Sequence, residues 1–161
     1  MRGLYTVRHG GNITSEVIES RRAKLHHGGM MTPALIAQQL KGTLGELLGI
    51  EFVEASPERV AAQLVIRDEL RTVGGALHGG TLMALADTLG AAATMLNLPP
   101  GAGTTTLESK TNFFAAGRSV RVRAETTPLH RGKRTMVWQT RVTDEAGRLL
   151  SLTIQTQLVL A

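Results

Sequence analysis

The chain has 161 residues, enough for about one domain; 42% of them are hydrophobic and only 3% aromatic, so the core must be aliphatic. The absence of cysteine excludes a disulfide framework, a thiolate metal site and a cysteine nucleophile. The formal net charge of +5 favours an anionic ligand, but no basic cluster is interleaved with aromatic residues, which argues against a nucleic-acid partner.

The N-terminal stretch MRGLYTVRHGG lacks the apolar core of a signal peptide, so we expect a cytoplasmic protein. Residues 1–31 show little apolar periodicity and predict an N-terminal arm that is either mobile or carries a short helix over residues 14–25. A single domain is predicted over residues 32–161. Asp87 interrupts its best apolar stretch and no segment has the length and purity of a membrane span, so no membrane partner is expected.

The domain is predicted to begin with two short helices and a hairpin. Pro33 suits the first turn of a helix, and the apolar residues of ALIAQQLKGTLGELLGI recur at roughly helical spacing, but the interspersed glycines favour two short pieces. The period then becomes two, so that alternate residues of VAAQLVI share one face of a strand. With a turn at Ser56-Pro57, this pattern predicts a hairpin over residues 50–66.

A long helix is predicted directly after His78. The segment GGTLMALADTLGAAATMLN has no proline, few β-branched residues and many Ala and Leu. It is apolar on nearly every face, which is typical of a helix that is buried all round. About 18 residues at ~1.5 Å each would cross a small domain, and the LPPGAG sequence ends the helix.

Four strands are predicted after this helix. TTTLESKTNFF is the least regular, SVRVRAET and RTMVWQTRVTD alternate clearly, and LLSLTIQTQLVL sets Leu and Ile against Ser, Thr and Gln most cleanly. The short connections HRGKR and DEAGR contain glycine and predict hairpin turns, hence an antiparallel meander with one covered and one solvated face. The predicted fold is α+β: a long central helix wrapped by a curved antiparallel sheet of about six strands.

Asp87 is the most informative residue because it lies among Leu, Met and Ala side chains of the long helix. An ionised carboxylate in apolar surroundings is costly unless it is paired or hydrogen-bonded. One interpretation is a structural carboxylate that caps a neighbouring backbone or forms an ion pair. The other is a base or nucleophile whose reactivity is increased by partial desolvation.

The tripeptide His-Gly-Gly occurs at His9, His27 and His78, and only the third precedes an apolar helix. The free N–H groups of Gly79 and Gly80 at a helix N-terminus would form an anion-binding position, and aimed at a carbonyl oxygen they would form an oxyanion hole. The alternative is a turn histidine whose ring bonds a backbone carbonyl. The first two copies are interpreted as polar turns.

The spacing between these two elements has a consequence for assembly. Asp87 lies seven residues beyond Gly80, which is about 10 Å along a helix axis. A nucleophile and an oxyanion donor must each lie ~3 Å from one carbonyl group, so the two cannot serve the same carbonyl within one protomer. If both are catalytic, the site combines Gly80 of one copy with Asp87 of another, which predicts a homodimer with two equivalent shared sites.

The stretch GGALHGGTLMALAD resembles the signature of hotdog-fold acyl-CoA thioesterases, in particular the phenylacetate-degradation thioesterase subfamily, and the resemblance extends over about residues 32–161. It implies a helix wrapped by a sheet, dimers that often pair into tetramers, and no cofactor beyond the coenzyme A of the substrate. It also implies that Asp87 activates water or attacks the thioester, that the Gly80 N–H polarises the carbonyl, that His78 orients this end, and that Thr106 positions the water.

The same resemblance implies which residues contact coenzyme A, and it identifies one position at which this sequence departs from the family pattern. Arg131, Lys133 and Arg134 in the HRGKR hairpin match the region that usually contacts the nucleotide, with Arg118 as a weaker candidate; the alternative is a solvated basic turn. Thr72 stands where many relatives carry an asparagine. A hydroxyl is shorter than an amide and lacks its fork, so an asparagine-dependent orientation of water or leaving group is not expected here.

The leading hypothesis is therefore hydrolysis of acyl-CoA thioesters to free acid and coenzyme A. A serine thioesterase is disfavoured because the chain has no G-x-S-x-G elbow. Two alternatives remain: a hotdog hydratase or dehydratase of 3-hydroxyacyl thioesters, and a non-catalytic module that binds acyl-CoA. No metal site is predicted, since His78 and Asp87 do not lie at ligand spacing on one helical face.

Overall fold

The structure is a computed structural model that describes residues 31–160. The predicted arm over residues 1–31, with its short helix over residues 14–25, therefore lies outside the described residues except for Met31. The Met31 sulfur accepts a hydrogen bond from Gln39 Nε2 at 3.7 Å. The elements in chain order are α1 (Pro33–Gln39), α2 (Leu44–Leu48), β1 (Ile50–Ala55), β2 (Val60–Val65), a 3₁₀ turn (Asp68–Leu70), α3 (Gly79–Met95), β3 (Gly103–Phe113), β4 (Arg121–Arg131), β5 (Thr135–Asp144) and β6 (Leu149–Leu160).

The first part of the domain forms the predicted short helices and hairpin. Thr32 caps α1 by accepting the Leu35 N–H at 3.3 Å, and Pro33 occupies the first turn. Helix α2 ends at Gly49, whose φ of 74° lies in the left-handed region that glycine adopts without strain. Strands β1 and β2 then pair antiparallel, which confirms the predicted hairpin.

The six strands form one antiparallel sheet in the order β1-β2-β4-β5-β6-β3. The predicted meander of four strands is therefore wrong for β3, which pairs with β6 at the far edge, while β4, β5 and β6 do form a meander. The reason is the connection over residues 114–120, which has no tight turn and crosses to β2, where the Ile66 N–H donates to the Val120 carbonyl at 2.8 Å. Among the four strands that follow α3, tight turns join only β4 to β5 and β5 to β6.

Helix α3 packs across the sheet and contacts five of its strands. Its inner face is buried, and Thr94 of that face accepts the indole N–H of Trp138 at 2.7 Å. The prediction of a helix buried all round is wrong on one side, because Gly80 and Met83 are exposed and Asp87 is half-buried. These three positions lie on one face of the helix that no other described element covers. No helix among residues 31–160 is long and apolar enough to span a membrane.

Strand β6 turns its polar side toward the helix, which is the reverse of what its alternation of apolar and polar residues suggests. Four polar residues of β6 are fully buried, and they are Ser151, Thr153, Gln155 and Gln157. A bulge at Leu150, where the register with β5 shifts between Val142 and Thr143, leaves Leu150 and Ser151 both buried. Hydrogen bonds to Asp87, Thr106 and Thr111 account for the burial of Gln155, Gln157 and Thr153, whereas the Ser151 hydroxyl has no partner among the described residues.

Candidate functional site

The carboxylate of Asp87, in the middle of α3, is held by two neutral donors. Thr106 Oγ1 donates to Asp87 Oδ1 at 2.9 Å, and Gln155 Nε2 donates to the same oxygen at 2.7 Å. The second oxygen, Oδ2, makes no hydrogen bond to any residue between 31 and 160. Thr106, to which the resemblance assigns the positioning of a water molecule, therefore contacts Asp87 directly, and one carboxylate oxygen remains available to a substrate or a water molecule.

The polar contacts of Asp87 continue into a network that sequence reasoning missed. Gln157 Nε2 donates to Thr106 Oγ1 at 2.8 Å, and Thr104 Oγ1 donates to Gln157 Oε1 at 2.8 Å. The available signal was a pair of glutamines, Gln155 and Gln157, at alternate positions of the last strand. It was obscured because polar residues that alternate with Leu and Ile normally mark the solvated face of a sheet.

Gly90 allows the Gln155 amide to approach the helix. A Cβ at position 90 would lie 2.7 Å from the Gln155 Cδ atom, closer than real Cβ contacts come. Gln155 Oε1 is buried and has no hydrogen-bond partner among the described residues. The glycine one turn beyond Asp87 thus provides the space in which the amide reaches the carboxylate.

The His-Gly-Gly tripeptide begins α3 as predicted. However, one of the two glycine N–H groups that were expected to be free is bound by the His78 ring. His78 is the N-cap, and its Nδ1 accepts the Gly80 N–H at 2.9 Å. The Gly79 N–H, the first of the helix, has no acceptor among the described residues. A neutral imidazole that accepts at Nδ1 carries its hydrogen on Nε2, so His78 presents a second donor.

Asp87 and the free Gly79 N–H lie at different positions along α3. They are eight residues apart, about 12 Å along the helix axis, and one carbonyl group cannot contact both. Strand β3 touches both positions: Thr106 bonds Asp87, and the Phe113 ring lies 3.2 Å from where a Gly79 Cβ would be. One protomer therefore presents the Asp87 carboxylate and the Gly79 N–H at two separate positions along the same edge of the molecule.

The basic hairpin between β4 and β5 lies near the C-terminal end of α3. Arg131, Lys133 and Arg134 are all exposed, and Arg131 Nη1 also donates to Asn97 Oδ1 at 3.1 Å and to the Pro57 carbonyl at 3.3 Å. An open cleft of about 770 Å³ lies here, lined by Arg131, Lys133, Asn97, Pro99, Met136 and Val159. Arg118 is elsewhere: it donates to the Gly74 carbonyl at 3.0 Å, in the turn that precedes His78.

Comparisons with known proteins agree with this architecture. The family model described as the thioesterase superfamily matches residues 74–151. The proofreading thioesterase EntH of Cronobacter turicensis is 34% identical over 107 residues, which cover 66% of this chain and 78% of that protein. This chain belongs to the thioesterase superfamily. The 1,4-dihydroxy-2-naphthoyl-CoA hydrolase of Escherichia coli K12 is 32% identical over 109 residues, 68% of this chain and 80% of that protein.

The similarity of this thioesterase to solved structures confirms the predicted fold. A crystal structure of a variant thioesterase from Pseudomonas aeruginosa superposes with a TM-score of 0.79 at 27% identity, covering 84% of this chain and 98% of that one. The fold is the hotdog fold, and the enzyme is a thioester hydrolase. The resemblance to the phenylacetate-degradation subfamily stays a prediction.

Thr72, the position that departs from the family pattern, lies in an exposed turn of the thioesterase. Its backbone N–H donates to the Ala76 carbonyl at 2.7 Å, and its carbonyl accepts the Gly75 N–H at 2.8 Å. Gly75 has a φ of 76°, which closes this turn without strain. The main chain of Thr72 thus stabilises the loop that presents His78.

Proposed function

We propose that this thioesterase hydrolyses acyl-CoA thioesters to a free acid and coenzyme A, at two equivalent sites that each combine residues of two copies of the chain. The observation that carries the proposal is the Asp87 carboxylate, whose Oδ1 is fixed by Thr106 and Gln155 and whose Oδ2 no described residue binds. The name of the E. coli relative gives further support, since that protein hydrolyses a naphthoyl-CoA thioester. The basic hairpin offers cations for the phosphates of coenzyme A.

The proposed chemistry requires one group that attacks the carbonyl carbon and one that stabilises the oxygen. In one route, Asp87 Oδ2 takes a proton from a water molecule that attacks the carbon, and this proton passes to the departing coenzyme A thiolate as the C–S bond breaks. In the other route, Oδ2 attacks the carbon directly and the thiolate leaves, and water then hydrolyses the resulting anhydride to the free acid and the Asp87 carboxylate. The carbonyl oxygen is polarised by the Gly79 N–H of the partner subunit at the positive end of its helix dipole. His78 of the partner subunit supplies a further donor through Nε2–H and holds the Gly80 N–H.

This assignment changes the expected oxyanion donor from Gly80 to Gly79. The Gly80 N–H already donates to His78 Nδ1, so a carbonyl oxygen would have to displace an existing hydrogen bond. The Gly79 N–H has no acceptor among the described residues and therefore binds a carbonyl oxygen without such a loss. The role of Gly80 becomes the orientation of the His78 ring.

The shared site fixes how two helices would lie in the dimer. For Asp87 to face the partner's Gly79, the two α3 helices must run antiparallel with a twofold axis midway between these positions. Met83 is midway, so each Met83 would pack against its own copy at that axis. Its 41% exposure in the single chain fits this arrangement, because an apolar side chain at the centre of an interface is covered only in the dimer.

The edge position of strand β3 is compatible with a twofold axis at a similar place. It is an 11-residue strand at the edge of the sheet, unpaired on its outer side in the described chain, and long unprotected edges favour pairing with another strand. Ser109 lies about midway between Thr106, which contacts Asp87, and Phe113, which covers Gly79. An antiparallel register centred on Ser109 would set Glu108 opposite the partner's Lys110, a favourable cross-strand charge pair.

The activity is tested by measuring thiol release from a panel of aromatic and aliphatic acyl-CoA esters. We expect thiol release from at least one acyl-CoA of the panel, with the free acid as the second product. Crotonyl-CoA distinguishes the alternatives, because hydration of its double bond without thiol release would identify a hydratase. Tight binding across the panel without turnover would instead identify a non-catalytic acyl-CoA-binding protein, and either result would contradict the proposal.

The basic hairpin is tested with the K133A/R134A variant, which keeps the structural hydrogen bonds of Arg131, and with the triple variant that adds R131A. Each lost phosphate contact should raise KM for acyl-CoA, by about tenfold for K133A/R134A, with little change in kcat. The dependence of KM on salt concentration should become weaker. R148A is the control, because it removes an exposed arginine from the hairpin between β5 and β6. It should leave KM and its salt dependence unchanged. A wild-type salt response in both hairpin variants would show that the hairpin does not bind the nucleotide.

A further inference from the structure

Gln155 connects three parts of the candidate site although it lies 68 residues from Asp87 in the sequence. Its side chain is fully buried, and Nε2 donates to Asp87 Oδ1 at 2.7 Å. The same nitrogen lies 3.3 Å from the main-chain carbonyl oxygen of Asp87 and 3.3 Å from Thr106 Oγ1. One amide group therefore links the carboxylate, the helix that bears it and the hydroxyl beside it.

Gly90 belongs to the same arrangement. Glycine is a poor residue for a helix interior, where alanine is favoured, so its presence in the middle of α3 needs a reason. The reason is steric: a Cβ at this position would lie 2.7 Å from Cδ and 3.1 Å from Nε2 of Gln155. Any side chain at position 90 would push the amide away from Asp87.

The orientation of the amide points to a role beyond packing. Gln155 Oε1 is buried without a hydrogen-bond partner among the described residues, and an unpartnered buried acceptor is costly. The amide keeps this orientation because the NH₂ group meets the Asp87 oxygen. A neutral donor fixes the carboxylate without neutralising its charge, whereas an arginine or lysine would reduce its basicity.

We propose that Gln155, admitted by the missing side chain of Gly90, is a positioning residue that fixes Asp87 Oδ1 so that Oδ2 faces the thioester. This inference rests on the proposed function. It assigns Gln155 no contact with the substrate. Its contribution is to hold the reacting oxygen in the productive geometry, where a displacement of about 1 Å can cost about 100-fold in rate.

The first test compares Q155L and Q155E with T153V as the matched control. Thr153 lies on the same buried face of β6, shares a hydrogen bond of 2.8 Å with Thr111 and does not touch Asp87. Q155L should lower kcat about 10- to 100-fold with KM within about twofold of wild type. T153V should lower the melting temperature but leave kcat and its pH profile unchanged.

Q155E should change the pH profile of kcat, which would stay unchanged if Gln155 had a purely structural role. A second carboxylate beside Asp87 opposes ionisation of both groups, so the acid limb of the kcat profile should move to higher pH by about one unit or more. The alkaline side should recover less activity than wild type, because the glutamate cannot donate a hydrogen bond to Asp87. An unshifted acid limb would contradict the proposed contact.

The second test is a double-mutant cycle of G90A and Q155A. G90A keeps Gln155 and improves helix propensity, so it remains informative if Q155L fails to fold. We expect G90A to lower kcat about 10-fold or more in the wild-type background and to have little further effect in Q155A, where the clashing amide is absent. Equal effects in both backgrounds would show that Gly90 acts independently of Gln155.

D87N separates a failure of this inference from a failure of the proposed function. Wild-type turnover of D87N would overturn both, because no catalytic carboxylate would remain to be positioned. An inactive D87N together with wild-type kcat in Q155L and a wild-type pH profile in Q155E would overturn only the positioning role. An inactive D87N with reduced kcat in Q155L and G90A would support both.

Discussion

Replacement of Asp87 by asparagine is expected to lower kcat for acyl-CoA hydrolysis by about 10³-fold, the range in which loss of a general base or nucleophile falls. Asparagine has the same shape, and its carbonyl oxygen can still accept from Thr106 and Gln155, so the fold should be retained. The variant loses the anionic oxygen that takes a proton or attacks the carbonyl carbon. The measurement is thiol release at saturating substrate, with circular dichroism to check folding.

D68N is the matched control for this experiment. The Asp68 side chain is fully exposed and forms only a surface ion pair of 3.4 Å with Arg71. It should therefore keep wild-type kcat. If D87N hydrolyses acyl-CoA as fast as D68N, Asp87 is a structural carboxylate and the mechanism proposed for this thioesterase is wrong.

The second large effect is expected in mixed dimers of D87N and G79P. Proline at the first helical position is well tolerated and removes only the Gly79 N–H, and the extended backbone of His78, with ψ of 137°, suits a residue before proline. Loss of one oxyanion donor costs about 10²- to 10³-fold in kcat, so each homodimer should be nearly inactive. G79A is the control because it adds a similar contact with Phe113 and keeps the N–H.

A mixed dimer would contain one site with both defects and one site with neither. Co-expression with two different affinity tags, followed by sequential purification, isolates this species. It should show about half of the wild-type activity per dimer, because one of two equivalent sites is intact. A mixed dimer no more active than its parents, or the absence of any dimer, would contradict the shared site and the oxyanion role assigned to the Gly79 N–H.

Local patterns in the sequence predicted most of the fold. The apolar segment after His78 predicted α3, glycines divided the first helical segment, and strand periodicity with glycine-containing turns predicted both the β1–β2 hairpin and the β4–β5–β6 meander. The place of β3 was wrong because strand order depends on contacts between distant residues. Nothing in TTTLESKTNFF indicates whether it pairs with the next strand or with the last.

The candidate site was predicted in part for a similar reason. The family resemblance assigned to Thr106 the positioning of a water molecule, and the structure brings Thr106 into contact with Asp87, while the role itself stays a prediction. Gln155 was missed because its burial depends on which face of β6 meets α3. A period-two pattern identifies the two faces of a strand but does not say which of them is covered. Here the polar face is covered, because the Asp87 carboxylate on the helix requires hydrogen-bond donors. The Gly80 N–H was expected to be free because the sequence does not reveal that the His78 ring bonds back to it.

Strand β3 carries Thr106 and Phe113 along the same edge that would join two copies. In such an enzyme the active unit is the pair, so the activity per chain depends on the enzyme's own concentration. Dilution below the dissociation constant of the proposed dimer would separate each carboxylate from its oxyanion donor, and turnover would fall by mass action. Substitutions along this edge would therefore tune the concentration threshold of the enzyme without altering its chemistry.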